Sequence, residues 1–164
     1  MQRKLGLTAV LVVALAVAGY AQKPDFTGTW TPDAPAAAAA PAGGGGGGGG
    51  RGMGGGPMTV TQKGDSLSIE RTQGENKVVS TYKLDGTESV NKMMGRGGEV
   101  EAKSTAKWDG GKLTIVTKQA GPDGTVREST QTWSLEGGNL VVESTRQGRE
   151  GAPVTAKTTY KKTT

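Results

Sequence analysis

Asp25-Phe26-Thr27-Gly28-Thr29-Trp30 stands between an apolar leader and a long series of alternating segments, and its reading decides how the chain closes. It reads as a short strand with an aromatic tip. The next segment is different in kind. Pro32, Pro35 and Pro41 bracket an alanine run, and 12 of the 14 positions from Gly43 to Gly56 are glycine. Such a segment has little side chain to bury and much backbone entropy to lose, so residues 31–56 are expected to form a disordered Pro/Ala/Gly-rich linker. As flexible coil they reach across roughly 28 Å, enough for residues 26–30 to pair with strands far along the chain. A glycine-rich phosphate cradle needs a helix after it and a Lys-Ser/Thr at its end, and this pattern supplies neither.

Upstream, Arg3 and Lys4 precede an apolar run from Leu5 to Gly19, and Gly19-Tyr20-Ala21 supplies small residues where a signal peptidase reads. This is the order of a secretory signal peptide, assigned to residues 1–21. The run is shorter than the roughly 20 apolar residues of a spanning helix. No Cys comes after it to carry a lipid, so no stable membrane anchor is expected after cleavage. The mature chain is expected to be secreted or periplasmic. Without Arg3 and Lys4 it carries 18 basic against 15 acidic residues, a net charge of +3. The basic residues are scattered singly, with Lys161-Lys162 the adjacent pair, which disfavours nucleic acid as a partner. The chain has no Cys and no His. Disulfides, thiolate nucleophiles, Cys/His zinc sites and imidazole-based triads are excluded.

From Met58 onward the pattern has period 2 and breaks at short intervals. Residues 58–63 and 66–72 flank Gly64-Asp65, 77–84 and 87–92 flank Asp85-Gly86, and 100–108 and 112–119 flank Asp109-Gly110-Gly111. Residues 125–135 and 139–146 flank Glu136-Gly137-Gly138, and a last strand runs over about 154–161. Asp-Gly and Gly-Gly between alternating segments are strong hairpin signals, because tight turns demand positive φ. The clearest alternation puts Val100, Ala102, Ser104, Ala106 and Trp108 on one face, continued after the turn by Leu113, Ile115 and Thr117. Tyr82, Trp108 and Trp133 each lead into an acidic-Gly turn at spacings of 26 and 25 residues, the length of one up-and-down hairpin. The fold class is all-β, an antiparallel meander.

An open sheet of this size would leave two edges exposed to aggregation. Pairing of the Phe26–Trp30 strand with the final strand closes it into a barrel of about 8–10 strands, made of residues 22–30 and 57–164. A two-sheet sandwich is the alternative; direct neighbour-to-neighbour hairpins favour the barrel. Phe26-Thr27-Gly28-Thr29-Trp30 resembles the opening motif of the lipocalin-like barrels of the calycin superfamily, a match of six residues counting Asp25, the rest being architecture. The resemblance implies that Phe26, Gly28 and Trp30 close the narrow end, with Trp30 packed on a basic residue from a late strand. Arg146, Lys161 and Arg127 are candidates for that partner. The chain departs from the family in lacking disulfides and a C-terminal helix, and in its insert after the first strand. Its strand count is nearer the ten of the fatty-acid-binding proteins than the eight of true lipocalins.

Acidic residues are the remaining candidates for acid–base chemistry. Asp65, Asp85, Asp109 and Asp123 sit beside Gly, where Asp stabilises a turn through its own backbone. Glu128 shares an alternating face with Val126, Thr130 and Thr132 and is a candidate for an inward carboxylate. The alternating Asp/Asn ligands of a calcium loop are missing, so neither metal nor cofactor is expected. The mature aromatics serve first as core. Tyr82, Trp108 and Trp133, with the pliable Met93 and Met94, are candidates to line a cavity for a small apolar or amphipathic ligand. The expected function is an exported, non-catalytic binder of such a ligand; the alternative is a structural or interaction module with a solid core and a Gly-rich tether. Expressed with its leader in an exporting bacterial host, the chain is expected to yield an N-terminal sequence starting near Gln22. An uncut chain retained in the membrane would contradict the leader assignment.

Overall fold

The computed structural model describes residues 23–33, 56–73, 76–95, 98–121, 124–148 and 151–163. The leader, Asp123 and nearly all of the 31–56 segment lie outside them. Ten strands run β1 Gly28–Pro32, β2 Met58–Lys63, β3 Ser66–Gln73, β4 Asn76–Lys83, β5 Asp85–Gly95, β6 Gly98–Asp109, β7 Lys112–Ala120, β8 Val126–Glu136, β9 Asn139–Gln147 and β10 Pro153–Thr163. They form one antiparallel sheet in the order β4-β3-β2-β1-β10-β9-β8-β7-β6-β5. The all-β meander is as the sequence predicts, curled into a nearly closed barrel.

Closure between the first and last strands is direct. β1 pairs with β10 through Thr29↔Thr163, Trp30↔Lys162, Thr31↔Lys161 and Pro32↔Tyr160. On its other side it pairs with β2 through Gly28↔Val60, Thr29↔Thr59 and Trp30↔Met58. Gly28 has a φ of +150°. Its missing Cβ also leaves room for the Lys162 side chain, which crosses where that atom would stand. The positive φ is what favours glycine at this position, since the flexible end of Lys162 could move aside.

Inward faces obey the alternation. On β6, Ala102, Ser104 and Ala106 are at most 2% exposed, and Leu113, Ile115 and Thr117 on β7 at most 3%. Glu128 corrects the sequence reading: the inward face of β8 carries Gln131 and Trp133, and Glu128 lies outside with Lys118 Nζ at 3.5 Å. The register across β7 and β8 is regular through this region, so Trp133 alone fixes the parity of the strand.

The expected hairpin around Asp85-Gly86 also needs correction. β4 and β5 are joined at Leu84 and stand side by side, yet they are the two ends of the sheet and share no ladder. Side chains replace the missing bonds. The Thr81 N–H donates to Asn91 Oδ1 at 2.7 Å, and Asn91 Nδ2 donates to the Thr81 carbonyl at 3.0 Å. The Lys83 N–H donates to Ser89 Oγ at 2.9 Å. An Asn amide has the donor and acceptor of a peptide, so Asn91 does the work of one backbone pair while holding the strands a side chain apart. A register shift between Asp85 and Glu88 on β5 marks a bulge beside this seam. Asn91 is 7% exposed, and replacing it by Ala removes the partner of the part-buried Thr81 N–H and C=O. Asn91→Ala is expected to lower stability by about 1–3 kcal/mol in urea titrations. Val90→Ala, at a half-exposed neighbour, is expected to change it by less than about 0.5 kcal/mol.

Candidate functional site

The barrel interior is layered. At the end where β1 begins, Phe26 and Trp30 are 0% and 1% exposed and pack with Leu67, Leu84, Leu113, Trp133 and Leu140. The Phe26 ring stacks on Trp108 at 5.7 Å and meets Trp133 edge-on at 5.7 Å. Trp30 Nε1 donates to the Phe26 carbonyl at 2.8 Å. The Phe26 N–H donates to Gln62 Oε1 at 3.2 Å, and Gln62 Nε2 donates to the Pro24 carbonyl at 3.2 Å. This segment therefore packs across the aromatic core at the end where β1 begins.

The basic residue on Trp30 is Lys162, with Nζ 5.5 Å from the ring centroid. None of the three sequence candidates takes that place. Lys161 points to the outer face and pairs with Asp33. Arg127 and Arg146 come from β8 and β9 at the opposite end, in register with Gln119 and Val154. Pattern alone does not choose between Lys161 and Lys162. The parity of Trp30↔Lys162 across β1 and β10 makes the choice.

Above the aromatic layer lies a polar belt of Ser80, Ser89, Asn91, Ser104, Thr117 and Gln131, all buried. Ser104 and Thr117 share a hydroxyl hydrogen bond at 2.9 Å, and Trp133 Nε1 donates to Gln131 Oε1 at 3.0 Å. The five cavity candidates therefore separate. Tyr82, Trp108 and Trp133 belong to the apolar core or pack against it, Trp108 being partly buried. Met93 lies elsewhere, half-buried near the far end of β5, and the Met94 side chain lies outside the described residues.

Met93 lines a concavity of about 440 Å³ with Asn76, Lys77, Val78, Val79, Lys92 and Glu99. It lies where β4 and β5 part beyond the Asn91 bridge. Val78 is the cross-strand partner of Arg71, and Met93 that of Val100. Val79, on the outer face, is 54% exposed. The concavity thus breaches the wall from outer to inner face. Its rim is charged: Lys77 Nζ holds Glu70 at 2.8 Å, and Lys92 Nζ holds Glu99 at 2.8 Å. Each carboxylate raises the pKa of its lysine above the ordinary value. Sequence reasoning misses this breach because it assumes a regular hairpin there.

Asp85 keeps its expected turn role, its Oδ1 accepting from the Thr87 N–H at 2.8 Å and hydroxyl at 2.7 Å. Those bonds hold its carboxyl below the ordinary value. Tyr82 and Tyr160 are both pushed up, chiefly by burial, while the charge of Arg71 works the other way. A phenol whose folded pKa is raised adds stability in full below about pH 10, and this is lost as pH climbs through the folded value. In the mature chain the phenolate absorbance is expected to rise later than that of free tyrosine. It should rise together with loss of the β circular dichroism signal; ionisation at the free-tyrosine pH without unfolding would contradict the burial of both rings.

No protein-family model matches the sequence, and no curated protein does so. Solved structures are similar in fold. Human cRBP IV superposes with a TM-score of 0.52 at 20% identity, over 85% of this chain and 99% of that one. A secretory abundant heat soluble protein from Ramazzottius varieornatus gives 0.50 at 20% identity, over 65% and 70% of the two chains. A zebrafish ileal bile-acid-binding protein, complexed with cholic acid, gives 0.48 at 29% identity over 65% and 72%. With its ten-stranded antiparallel meander, the chain has the lipocalin-like β-barrel fold.

Proposed function

We propose that the protein is an exported, non-catalytic barrel that binds a small hydrophobic or amphipathic molecule at the breach between β4 and β5. The observation that carries the reading is the 440 Å³ concavity, whose volume falls in the range of small-molecule sites. Val78, Val79 and Met93 give it apolar walls, and Met adapts readily to differing ligand shapes. The lysine stems of Lys77 and Lys92 extend that surface while their charged ends stay in water. The barrel fold supports the reading, and the leader at residues 1–21 supports export to the periplasm or medium. The non-catalytic reading draws support from the carboxylates. Glu70, Glu88, Glu99, Glu128 and Glu136 each face a lysine on the surface.

Calorimetric titration of the mature protein with a panel of fatty acids, fatty alcohols, retinoids and bile acids tests the proposal. Saturable one-to-one binding is expected for at least one apolar or amphipathic class. Met93→Asp, which puts a charge on the apolar wall, is expected to weaken it by about tenfold or more, ~1.4 kcal/mol. No binding across the panel would overturn the container and leave the solid interaction module, a reading that the filled aromatic end favours.

A further inference from the structure

The parity of β4 decides which backbone groups the open end of the seam leaves over. In an antiparallel ladder the N–H and C=O of one residue point to the same side, and the side alternates along the strand. Thr81 gives its N–H and receives at its carbonyl from Asn91, and the Lys83 N–H goes to Ser89, so these residues turn their backbone toward β5. Val78, Ser80 and Tyr82 therefore carry the bonds to β3, opposite Arg71, Ile69 and Leu67. Lys77 and Val79 share the parity of Thr81 and aim their N–H and C=O groups at the seam. Among the described residues nothing pairs with those groups. Both residues line the concavity, beside the apolar Val78 and Met93.

Lys83, Thr81, Val79 and Lys77 thus present seam-facing groups at steps of two residues, roughly 6.8 Å. The first two have side-chain partners, and for Thr81 that partner is a carboxamide, which carries the donor and acceptor of a peptide. The last two have none. An extended peptide repeats its own N–H and C=O groups along one edge at the same step, so it continues the series that Asn91 begins. We propose that the molecule taken up at the breach is a short, uncharged peptide in extended conformation, its backbone paired with Val79 and Lys77 and its alternate apolar side chains on Val78 and Met93. This rests on the reading of the breach as a binding site and names the chemical class that the site takes. Backbone pairing supplies affinity, and the apolar wall selects side chains of one parity. Charged side chains gain little at this rim, because Lys77 and Lys92 already hold Glu70 and Glu99. A plain hydrocarbon covers the apolar wall but leaves the edge of β4 to water.

The test compares the capped peptide acetyl-Thr-Val-Thr-Val-Thr-amide with dodecanol, an apolar chain that has no backbone to pair. Calorimetry on the mature protein is expected to show the peptide bound. N-methylation of its threonines or of its valines, the two alternate sets, is expected to weaken binding at least about tenfold in one set. Hydrogen exchange at the Lys77 and Val79 amides is expected to slow at least about tenfold under saturating peptide and to stay unchanged under dodecanol. Val79→Pro removes a seam-facing N–H and no bond to β3, as an edge strand tolerates. It is expected to weaken the peptide at least about fivefold more than dodecanol. Dodecanol binding without peptide binding, or N-methylation without effect in both sets, overturns the peptide reading and leaves the breach as a site. Failure of both probes to bind removes the breach and the peptide reading together. A chain that dimerises without binding the peptide, and is monomeric as Val79→Pro, gives the edge to a second copy and also overturns the proposal. N-methylation and exchange are read on the wild-type chain, so a poorly folded Val79→Pro leaves the proposal open to refutation.

Discussion

The five residues Gly28–Pro32 hold the barrel together. Without β1, the sheet order divides into β2–β4 on one side and β5–β10 on the other. β1 joins them through four register pairs to β10 and three to β2. So short a strand needs more than its ladder, and it receives it from the aromatic end. The Trp30 indole donates back to the Phe26 carbonyl, and Gln62 fixes both Phe26 and Pro24. Phe26 then packs between Trp108 of β6 and Trp133 of β8. Burying rings of this size contributes about 2–3 kcal/mol each, which is on the scale of what the short ladder itself adds.

The ladder that runs unbroken through β1 is interrupted at β4 and β5, the two ends of the sheet. There the bulge near Asp85 turns β5 away, and Asn91 and Ser89 span the gap. The consequence is asymmetric. Toward Leu84 the side-chain bonds keep the strands near each other, and the Leu84 N–H is itself held by the Asp65 carbonyl at 2.8 Å. Toward Asn76 and Met93 nothing comparable spans the strands among the described residues, and the wall opens.

Much of this architecture is legible in the residues because it depends on local rules. Period 2 places the strands, acidic-Gly pairs place the turns, and Trp108 and Leu113 fix which face of β6 and β7 is buried. The six-residue motif points to β1 pairing with the last strand, since no other use for an isolated aromatic strand removes an edge. What escapes the sequence depends on relations between distant strands. Choosing Lys162 over Lys161 takes the parity of one pair, Trp30↔Lys162, 132 residues apart in the chain. Glu128 reads onto the wrong face because β8 begins with residues of indifferent polarity, so its alternation has no local anchor before Trp133. Asn91 is invisible to pattern reading, because a polar residue between Val90 and Lys92 reads as a surface position. Its burial comes from its taking the place of backbone. Arg71 escapes for a related reason, as charged residues in strands are first assigned to solvent.

The interior is graded along the barrel axis, and the gradient explains the order of these features. Aromatic rings fill the end sealed by β1, hydroxyls and amides occupy the middle, and arginines come at the end where the wall parts. Polar groups in the middle are satisfied in pairs, Ser104 with Thr117 and Asn91 with the Thr81 backbone, so they can stay buried without water. The half-buried Arg71 guanidinium differs in that its Nη2 donates to the Met58 thioether, a weak acceptor, and its Nε is without a partner. Among the described residues, the buried guanidinium nitrogen without a partner thus lies on the inner face of β3, next to the strand that borders the breach.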